Sequence, residues 1–326
     1  MPRTRDISVA LCSYNGEKYI EQQLQSIANQ TRLPAELVIC DDCSTDATPE
    51  IVKRFAKSAP FEVRYVENEK NVGSEIKGIT RNFEKAVRLC TGAFIAPCDQ
   101  DDTWFPQKLS RLTGLLERDA QLGGVFSDSQ LMKQDSTPTK TLLSETTGLN
   151  KRDQRWLRQG QELRVLLAMT KVYGSTLMFR ASLLDRILPV PPSWWFDAWF
   201  GCMIAVHSRL MFLPEPLVHY RIHPEQSVGA TVPTLGQRMR DWRSPARQYS
   251  EEAKPQLIEL CERLEAQNPP GAQRHIEYLR GRLALMQLRS NLPSNRVARL
   301  GKILPAVHDY QRYFNGWRSI LKDVTA

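Results

Sequence analysis

Residues 93–104 read Ala93-Phe94-Ile95-Ala96-Pro97-Cys98-Asp99-Gln100-Asp101-Asp102-Thr103-Trp104. A short apolar run of buried-strand type ends on three carboxylates in four positions. Like charges repel and burying any of them is unfavourable, so such a cluster is not placed for stability. A hard divalent cation relieves it. In an extended backbone residues i and i+2 point the same way, which would turn Asp99 and Asp101 toward one ion. Mg²⁺ is commonly held by one or two carboxylates plus substrate phosphates. The segment therefore points to metal-assisted chemistry on a phosphorylated or diphosphate substrate, with a solvated acidic loop as the alternative when it is taken in isolation.

Upstream, strand and helix patterns alternate. Ile7 to Cys12 reads as a buried strand, and Glu17 to Ala28 as a helix with Ile20, Leu24 and Ile27 on one face. Glu36 to Cys40 is the next strand. Thr48 with Pro49 caps a helix to about Ser58. Val63 to Glu67 reads as a strand, Gly73 as a turn, and Ile79 to Cys90 and Pro106 to Arg118 as helices. This repetition predicts an α/β fold with a mostly parallel sheet and right-handed crossovers. Ligands of such sheets lie outside the carboxyl ends of the strands, where Asp41, Asp42 and Asp99 stand. Beyond, Gly124 to Asp128 and Gly174 to Phe179 read as strands, 133–152 as a polar loop, and 153–170 as a helix. A helix to about Val206 starts at Trp194-Trp195-Phe196-Asp197, and Leu210 to Leu213 and Leu217 to Tyr220 are short strands. From about residue 236 the pattern becomes basic helices, broken at Pro269-Pro270-Gly271 and Pro293.

The 326 residues have room for one large domain, placed at 1–235, and an appendage at 236–326. No run of about 18 apolar residues is present, and no apolar leader follows the N-terminus, so the expectation is a cytoplasmic protein. The seven cysteines are scattered, and Cys40-Asp41-Asp42-Cys43 has no second ligand pair, which leaves structural thiols as the reading. The net charge of +8 is uneven. Residues 1–235 carry 28 Lys/Arg against 27 Asp/Glu, and residues 236–326 carry 16 against 9. The first part has the balance of an ordinary enzyme. The basic remainder suits an anionic membrane surface as an amphipathic helix, or is a packed appendage with a solvated face. Nucleic acid is not favoured, because no stacking motif accompanies the charge.

Ser13-Tyr14-Asn15-Gly16 closes the first strand in a turn suited to phosphate or base contacts, although it is neither a P-loop nor a GxGxxG fingerprint. An Asp at the end of the second strand can accept from the ring N–H of uracil or thymine, or make an Asx-turn. These pieces, followed by Glu21-Gln22-Gln23-Leu24-Gln25-Ser26-Ile27 with Gln30-Thr31, then Asp41-Asp42-Cys43-Ser44-Thr45-Asp46, Asn71-Val72-Gly73, and Cys98 to Trp104 with Pro106 and Lys108, occur in register. In that order and spacing the chain resembles the family-two inverting glycosyltransferases of the GT-A fold, specifically over 6–128 and more loosely to about 229.

The resemblance implies roles. Tyr14 would pack on the base and Asp42 accept from it, with Ser13, Asn15, Asn71, Arg81, Asp99 and Gln100 on the nucleotide-sugar side. Asp99 and Asp101 correspond to the D-x-D pair holding Mg²⁺ or Mn²⁺ on the diphosphate. Asp197, in Phe196-Asp197-Ala198-Trp199, corresponds to the general base, although Phe stands where an acid or His is usual. The stretch Val218-His219-Tyr220-Arg221-Ile222-His223, continuing to Gly229, resembles a Tyr-Arg-x-His segment, with Arg221 and His223 approaching the diphosphate and the metal. Gly174, Ser175, Thr176, Trp194 and Trp195 would line the acceptor side, and Ser127-Asp128 the floor beneath the donor sugar. In motif style the chain is most similar to bacterial rhamnosyltransferase-like enzymes of surface polysaccharide. That implies dTDP-L-rhamnose first and UDP-hexoses next as donor, and a glycan or lipid-linked glycan as acceptor. A nucleotidyltransferase and a non-catalytic sugar-nucleotide binder are the other classes; the first usually carries a Gly-rich basic loop that is missing here.

Overall fold

The computed structural model of the chain describes residues 7–73, 75–224, 226, 246–314 and 316–325. The expected boundary at 235–236, and the Ser227 to Gly229 end of the His223 segment, lie outside the described residues. The chain divides into two compact units, Met1–Thr231 and Val232–Ala326.

The first unit is built on β1 (Ile7–Ser13), α1 (Ile20–Ala28), β2 (Glu36–Asp41), α2 (Thr48–Ala56), β3 (Glu62–Glu67), α3 (Ile76–Leu89) and β4 (Phe94–Asp99). After these come β5 (Thr103–Trp104), α4 (Lys108–Arg118), β6 (Leu122–Lys133), β7 (Pro138–Leu142), β8 (Leu177–Arg180) and β9 (Arg209–Ile222). The strand order is β3-β2-β1-β4-β8-β6-β9-β5, with β7 on β6. The β3-β2-β1-β4 half is parallel throughout, whereas β8 runs antiparallel to both β4 and β6. The sheet is thus α/β and mostly parallel in its nucleotide half, flanked by helices, as the alternating pattern implied.

The chain goes from β1 outward to β2 and β3, then returns to place β4 on the other side of β1. That reversal opens a crevice above the carboxyl ends of β1 and β4, the usual ligand position in such sheets. Register puts Cys12 beside Asp99 and Ser13 beside Asp41 across β1. The apolar runs of β1, β2 and β4 are buried on both faces, as central parallel strands require. Pro97 sits within β4 without harm, because β8 pairs only with Phe94 and Ile95 and the ladder on that side has ended.

Several sequence expectations change in the middle of the unit. Residues 133–152 are not an open loop: β7 pairs back on β6, and helices Leu143–Thr146 and Lys151–Arg158 follow. The expected helix over 153–170 is two pieces, Lys151–Arg158 and Glu162–Leu166, parted at Gly160 with φ +74°. The strand expected at Gly174 begins at Leu177, after a 3₁₀ turn Gly174–Thr176. The two short strands expected over 210–220 are one strand, β9.

The second unit is helical, with Ala246–Gln267, Ala272–Ser290, Arg296–Ile303, Val307–Tyr313 and Trp317–Thr325. Its first two breaks fall at the expected proline sites, and two more follow, after Ile303 and after Tyr313. Leu285, Ile303, Tyr310, Tyr313 and Ile320 form a core. Beside it the Arg289 guanidinium meets the buried Asp323 carboxylate at 2.7 and 3.1 Å.

Candidate active site

The carboxylate loop begins where β4 ends, at Asp99. Gln100 and Asp101 bend away from the strand, so the i, i+2 alternation does not carry to Asp101. Asp101 is directed instead by the end of β9: its Oδ2 lies 2.8 Å from His223 Nε2. His223 stacks on Tyr19 with ring centroids 4.9 Å apart. Asp102 is buried, and its Oδ1 accepts the Arg221 backbone N–H at 2.9 Å while Oδ2 has no hydrogen-bond donor. Burial, then the charges of Asp102, Asp101 and Asp197, hold the Asp99 carboxyl well above its usual range. Burial and the neighbouring Asp101 push Asp102 up to about 7. The cluster thus resists full ionisation in its own protein environment.

The Arg221 guanidinium does not offer itself to a ligand. It is 2% exposed and donates to Asp101 O, Gln134 O, Ser136 Oγ and Gln22 Oε1 at 2.6–3.0 Å, with its charge over the Tyr19 ring. In this arrangement the guanidinium expected at the diphosphate braces the loop carrying Asp101 and Asp102. Ser13 is likewise buried, donating to Asp41 Oδ1 at 2.6 Å, so it holds the β2 end and does not face a nucleotide.

Tyr14 is exposed, at 44%. Gln100 grips it from both sides, Oε1 accepting from Tyr14 N and Nε2 donating to Tyr14 O, each at 2.9 Å. A Cβ at Gly16 would fall 2.3 Å from Gln100 Oε1, so the glycine makes room for this clamp. The Asn15 backbone, at φ +45°, turns its Oδ1 to accept from Thr45 N at 2.8 Å, which ties the β1 and β2 loops together. Asp41 Oδ2 accepts from Ser44 N, three residues on, at 2.8 Å and holds the turn after β2. Asp42 Oδ1 accepts from Asn68 Nδ2 at 3.0 Å and from Val72 N at 2.8 Å. Asn71 props the same loop by donating to Asp42 O and accepting from Gly73 N, so its side chain is framework. Arg81 is exposed on α3.

Asp197 stands in the first turn of the helix Phe196–His207, whose other residues are almost all apolar and buried. A lone carboxylate there serves no solvation purpose; the positive end of the helix receives it. Asp197 Oδ2 accepts from Gly174 N at 3.1 Å and Oδ1 from Ala198 N at 2.7 Å. Desolvation outweighs these bonds and raises its pKa to about 6. The charge of Asp197 is among those that raise the Asp99 carboxyl. Gly174 is fixed by sterics, since a Cβ there would lie 2.4 Å from Phe196 Cζ, and the Phe196 ring stacks on Phe83 at 3.8 Å.

The acceptor-side expectations divide. Ser175 and Thr176 are 0% and 1% exposed and belong to the turn that presents Gly174 N–H, so they do not line a surface. Trp194 is buried edge-on against Trp199, a core ring and not a stacking platform. Trp195 is half-buried at the start of the helix. Asp128 accepts from Ser129 N, Ser144 N and Ser144 Oγ, and Ser127 is buried, so both are structural.

Sequence reasoning assigned no role to the glutamine-rich face of α1. Gln30 donates to Phe105 O and accepts from Leu109 N, Ser26 Oγ accepts from Trp104 N, and Gln22 receives Arg221. Gln23 is fully buried in the stripe of Ile20, Leu24 and Ile27. A polar side chain in an apolar stripe was the available signal. Lys108 carried none: it is fully buried with Nζ 3.2 Å from the Trp104 ring centroid, and burial lowers its pKa to about 7.

Among the described residues no three His, Cys, Asp or Glu side chains converge as metal ligands. The donor set nevertheless fits a cation that completes its shell with phosphate oxygens: Asp101 and His223 are paired, and Asp99 lies beside them without a donor.

The profile described as glycosyl transferase family 2 matches residues 8–188, more than half of the chain. An uncharacterised protein of Mycobacterium tuberculosis is 29% identical over 222 residues, 67% of this chain and 59% of that protein. The chain thus spans about three fifths of the length of this curated relative. TarS 1–349 of S. aureus, solved in complex with UDP-GlcNAc, superposes with a TM-score of 0.59 at 19% identity, covering 98% of this chain and 88% of that one. The mannosyltransferase PcManGT from Pyrobaculum calidifontis, solved with GDP-Man and Mn²⁺, gives 0.50 at 21% identity, covering 98% and 78%. These likenesses bear on the fold, which is of the same type. With the matched profile spanning the crevice, the carboxylate loop and the turn before β8, the chain is a member of glycosyltransferase family 2.

Proposed function

We propose that the chain is an inverting glycosyltransferase that moves a sugar from a nucleoside-diphosphate donor to a hydroxyl of a glycan or lipid-linked glycan. The observation that carries this is Asp197: a carboxylate in the first turn of an apolar helix, pinned by the Gly174 and Ala198 backbone N–H groups, with its pKa raised to about 6. A base of that pKa is ionised at neutral pH and still able to take a proton. The Asp197 carboxylate removes the acceptor hydroxyl proton as that oxygen bonds to the anomeric carbon. The bond from that carbon to the diphosphate oxygen breaks on the opposite side, and the nucleoside diphosphate leaves with the electron pair.

Tyr14 and Asp42 are the base-facing groups, and Arg81 is an exposed cation on the nucleotide side. Asp101 and His223, with Asp99, are the residues to hold Mg²⁺ or Mn²⁺, which supplies charge neutralisation at the departing diphosphate. Arg221, Gln22, Ser26 and Gln30 keep that loop in place. The nucleotide sugars in the two neighbours, and the Mn²⁺ in PcManGT, support this reading. The motif style keeps dTDP-L-rhamnose as first donor, with UDP-hexose or UDP-N-acetylhexosamine next.

The test is release of nucleoside diphosphate from dTDP-rhamnose, UDP-GlcNAc, UDP-glucose and GDP-mannose, with and without Mn²⁺ or Mg²⁺. Metal-stimulated diphosphate release from one donor supports the proposal. Pyrophosphate release overturns it in favour of a nucleotidyltransferase. Binding of diphosphates with no turnover in the presence of glycan acceptors overturns it in favour of a binder.

A further inference from the structure

Nine large apolar side chains are exposed among the described residues, and five of them fall between Val297 and Leu321. Val297, Leu300 and Leu304 are 79%, 39% and 65% exposed, and Trp317 and Leu321 are 67% and 51%. Val297 and Leu300 share one face of the helix Arg296–Ile303, Leu304 opens the 3₁₀ turn Leu304–Ala306 directly after it, and Trp317 and Leu321 share one face of the helix Trp317–Thr325. The two helices concerned, Arg296–Ile303 and Trp317–Thr325, pack on each other. Their inward residues Ile303 and Ile320 already fill the core of this unit. The exposed stripes are therefore a second apolar face that the packing of the unit does not use.

Charge identifies what covers that face. Residues 291–326 carry six Lys/Arg against two Asp/Glu. One of the two acids, Asp323, is buried against Arg289 and Tyr310, so Asp309 is the exposed carboxylate. Arg296, Lys302, Arg312 and Arg318 are all exposed. Nucleic acid would use these cations but has no use for five aliphatic and indole side chains at the same place. A bilayer uses both: apolar side chains enter the headgroup boundary, Trp sits at that depth, and cations meet lipid phosphates.

We propose that the helices Arg296–Ile303 and Trp317–Thr325 dock this chain on an anionic lipid bilayer. Val297, Leu300, Leu304, Trp317 and Leu321 enter the headgroup region, and Arg296 and Arg318 hold anionic lipid headgroups. The docking rests on the transferase reading only for its purpose, a lipid-linked acceptor met at the surface; it needs no donor, metal or turnover.

Flotation of the full chain with phosphatidylcholine vesicles, and with vesicles containing about one-third phosphatidylglycerol, tests it. The expected result is binding to the anionic vesicles alone, weakened by added salt. The double variant Leu304→Ser/Trp317→Ala, both positions exposed, keeps its circular dichroism and loses about tenfold or more in partitioning. Arg318→Glu reverses one charge and lowers partitioning about tenfold. Equal binding to neutral vesicles, no binding to either, or undiminished binding by the double variant overturns the proposal. So does self-association that the double variant abolishes, or capture of an oligonucleotide, when vesicles stay unbound. Diphosphate release is measured separately on the same protein, so failure of docking and failure of the transferase reading are told apart.

Discussion

Replacing Asp197 by Asn separates catalysis from stability in opposite directions. Burial moves this carboxyl from 3.8 to about 6. Two pKa units correspond to about 3 kcal/mol. Because the folded pKa is raised, the stability contributed by this group is present below pH 3.8 and lost as pH rises through about 6. At neutral pH the ionised carboxylate is a net burden on the fold. Asn keeps the shape and accepts from one of Gly174 N and Ala198 N, but its amide nitrogen leaves the other without an acceptor. That loss is about 1–2 kcal/mol. The variant should thus be about 1–2 kcal/mol more stable at neutral pH, a few degrees in Tm for a unit of this size. The advantage should vanish in acid. Loss of the general base should lower turnover about 10²- to 10⁴-fold. The wild-type rate should fall about tenfold from pH 7 to pH 5 as the base is protonated. Calorimetry at neutral and acid pH, with diphosphate release at saturating donor, measures all of this. Wild-type turnover in the variant, or a Tm lower by several degrees at neutral pH, would refute the reasoning and make Asp197 a helix cap.

Asp101→Asn should remove the metal-dependent rise in Tm that dTDP, UDP or GDP gives the wild type, with the metal-free Tm little changed; a retained shift rejects Asp101 as a ligand. Gly174→Ala drives a Cβ into the Phe196 ring and moves Gly174 N away from Asp197. It should cost about 1–3 kcal/mol and lower kcat more than it alters donor KM, read by steady-state kinetics. Arg221→Lys gives up the planar fork that reaches four acceptors and should destabilise by about 2–4 kcal/mol in denaturant titration, with donor affinity falling because the Asp101 loop loosens. Gln100→Ala frees the Tyr14 backbone and should weaken diphosphate binding several-fold at about 1 kcal/mol of stability, checked by calorimetric titration.

The half of the sheet that forms the crevice was legible because its signals are local. Apolar runs of strand length, helices with one apolar stripe and carboxylates at strand ends follow from chain chemistry alone. The region from 133 to 180 was not legible. A polar, Thr- and Lys-rich stretch such as 133–142 makes a strand only because β6 is there to pair with it, and no residue in it declares that partner. The same holds for β9, which pairs with β6 along its length across the interruptions at Pro214 and Pro216. Arg221 shows the limit for site residues. Its place in a motif marks it as important, but whether it meets a phosphate or the protein depends on Gln22, Ser136 and Asp101 arriving from three distant parts of the chain.

From the amino-acid order alone came the α/β class, the family resemblance, the acidic loop and the choice of Asp197, because each rests on residue types at short spacing. Tertiary structure decided which of the named residues face the crevice and which brace it. It also decided that Asp101 pairs with His223 and that Asp197 is held by Gly174, and it set the raised pKa of the buried carboxyl groups. These are properties of burial and of contacts across 23 to 122 positions in sequence, which no local pattern encodes.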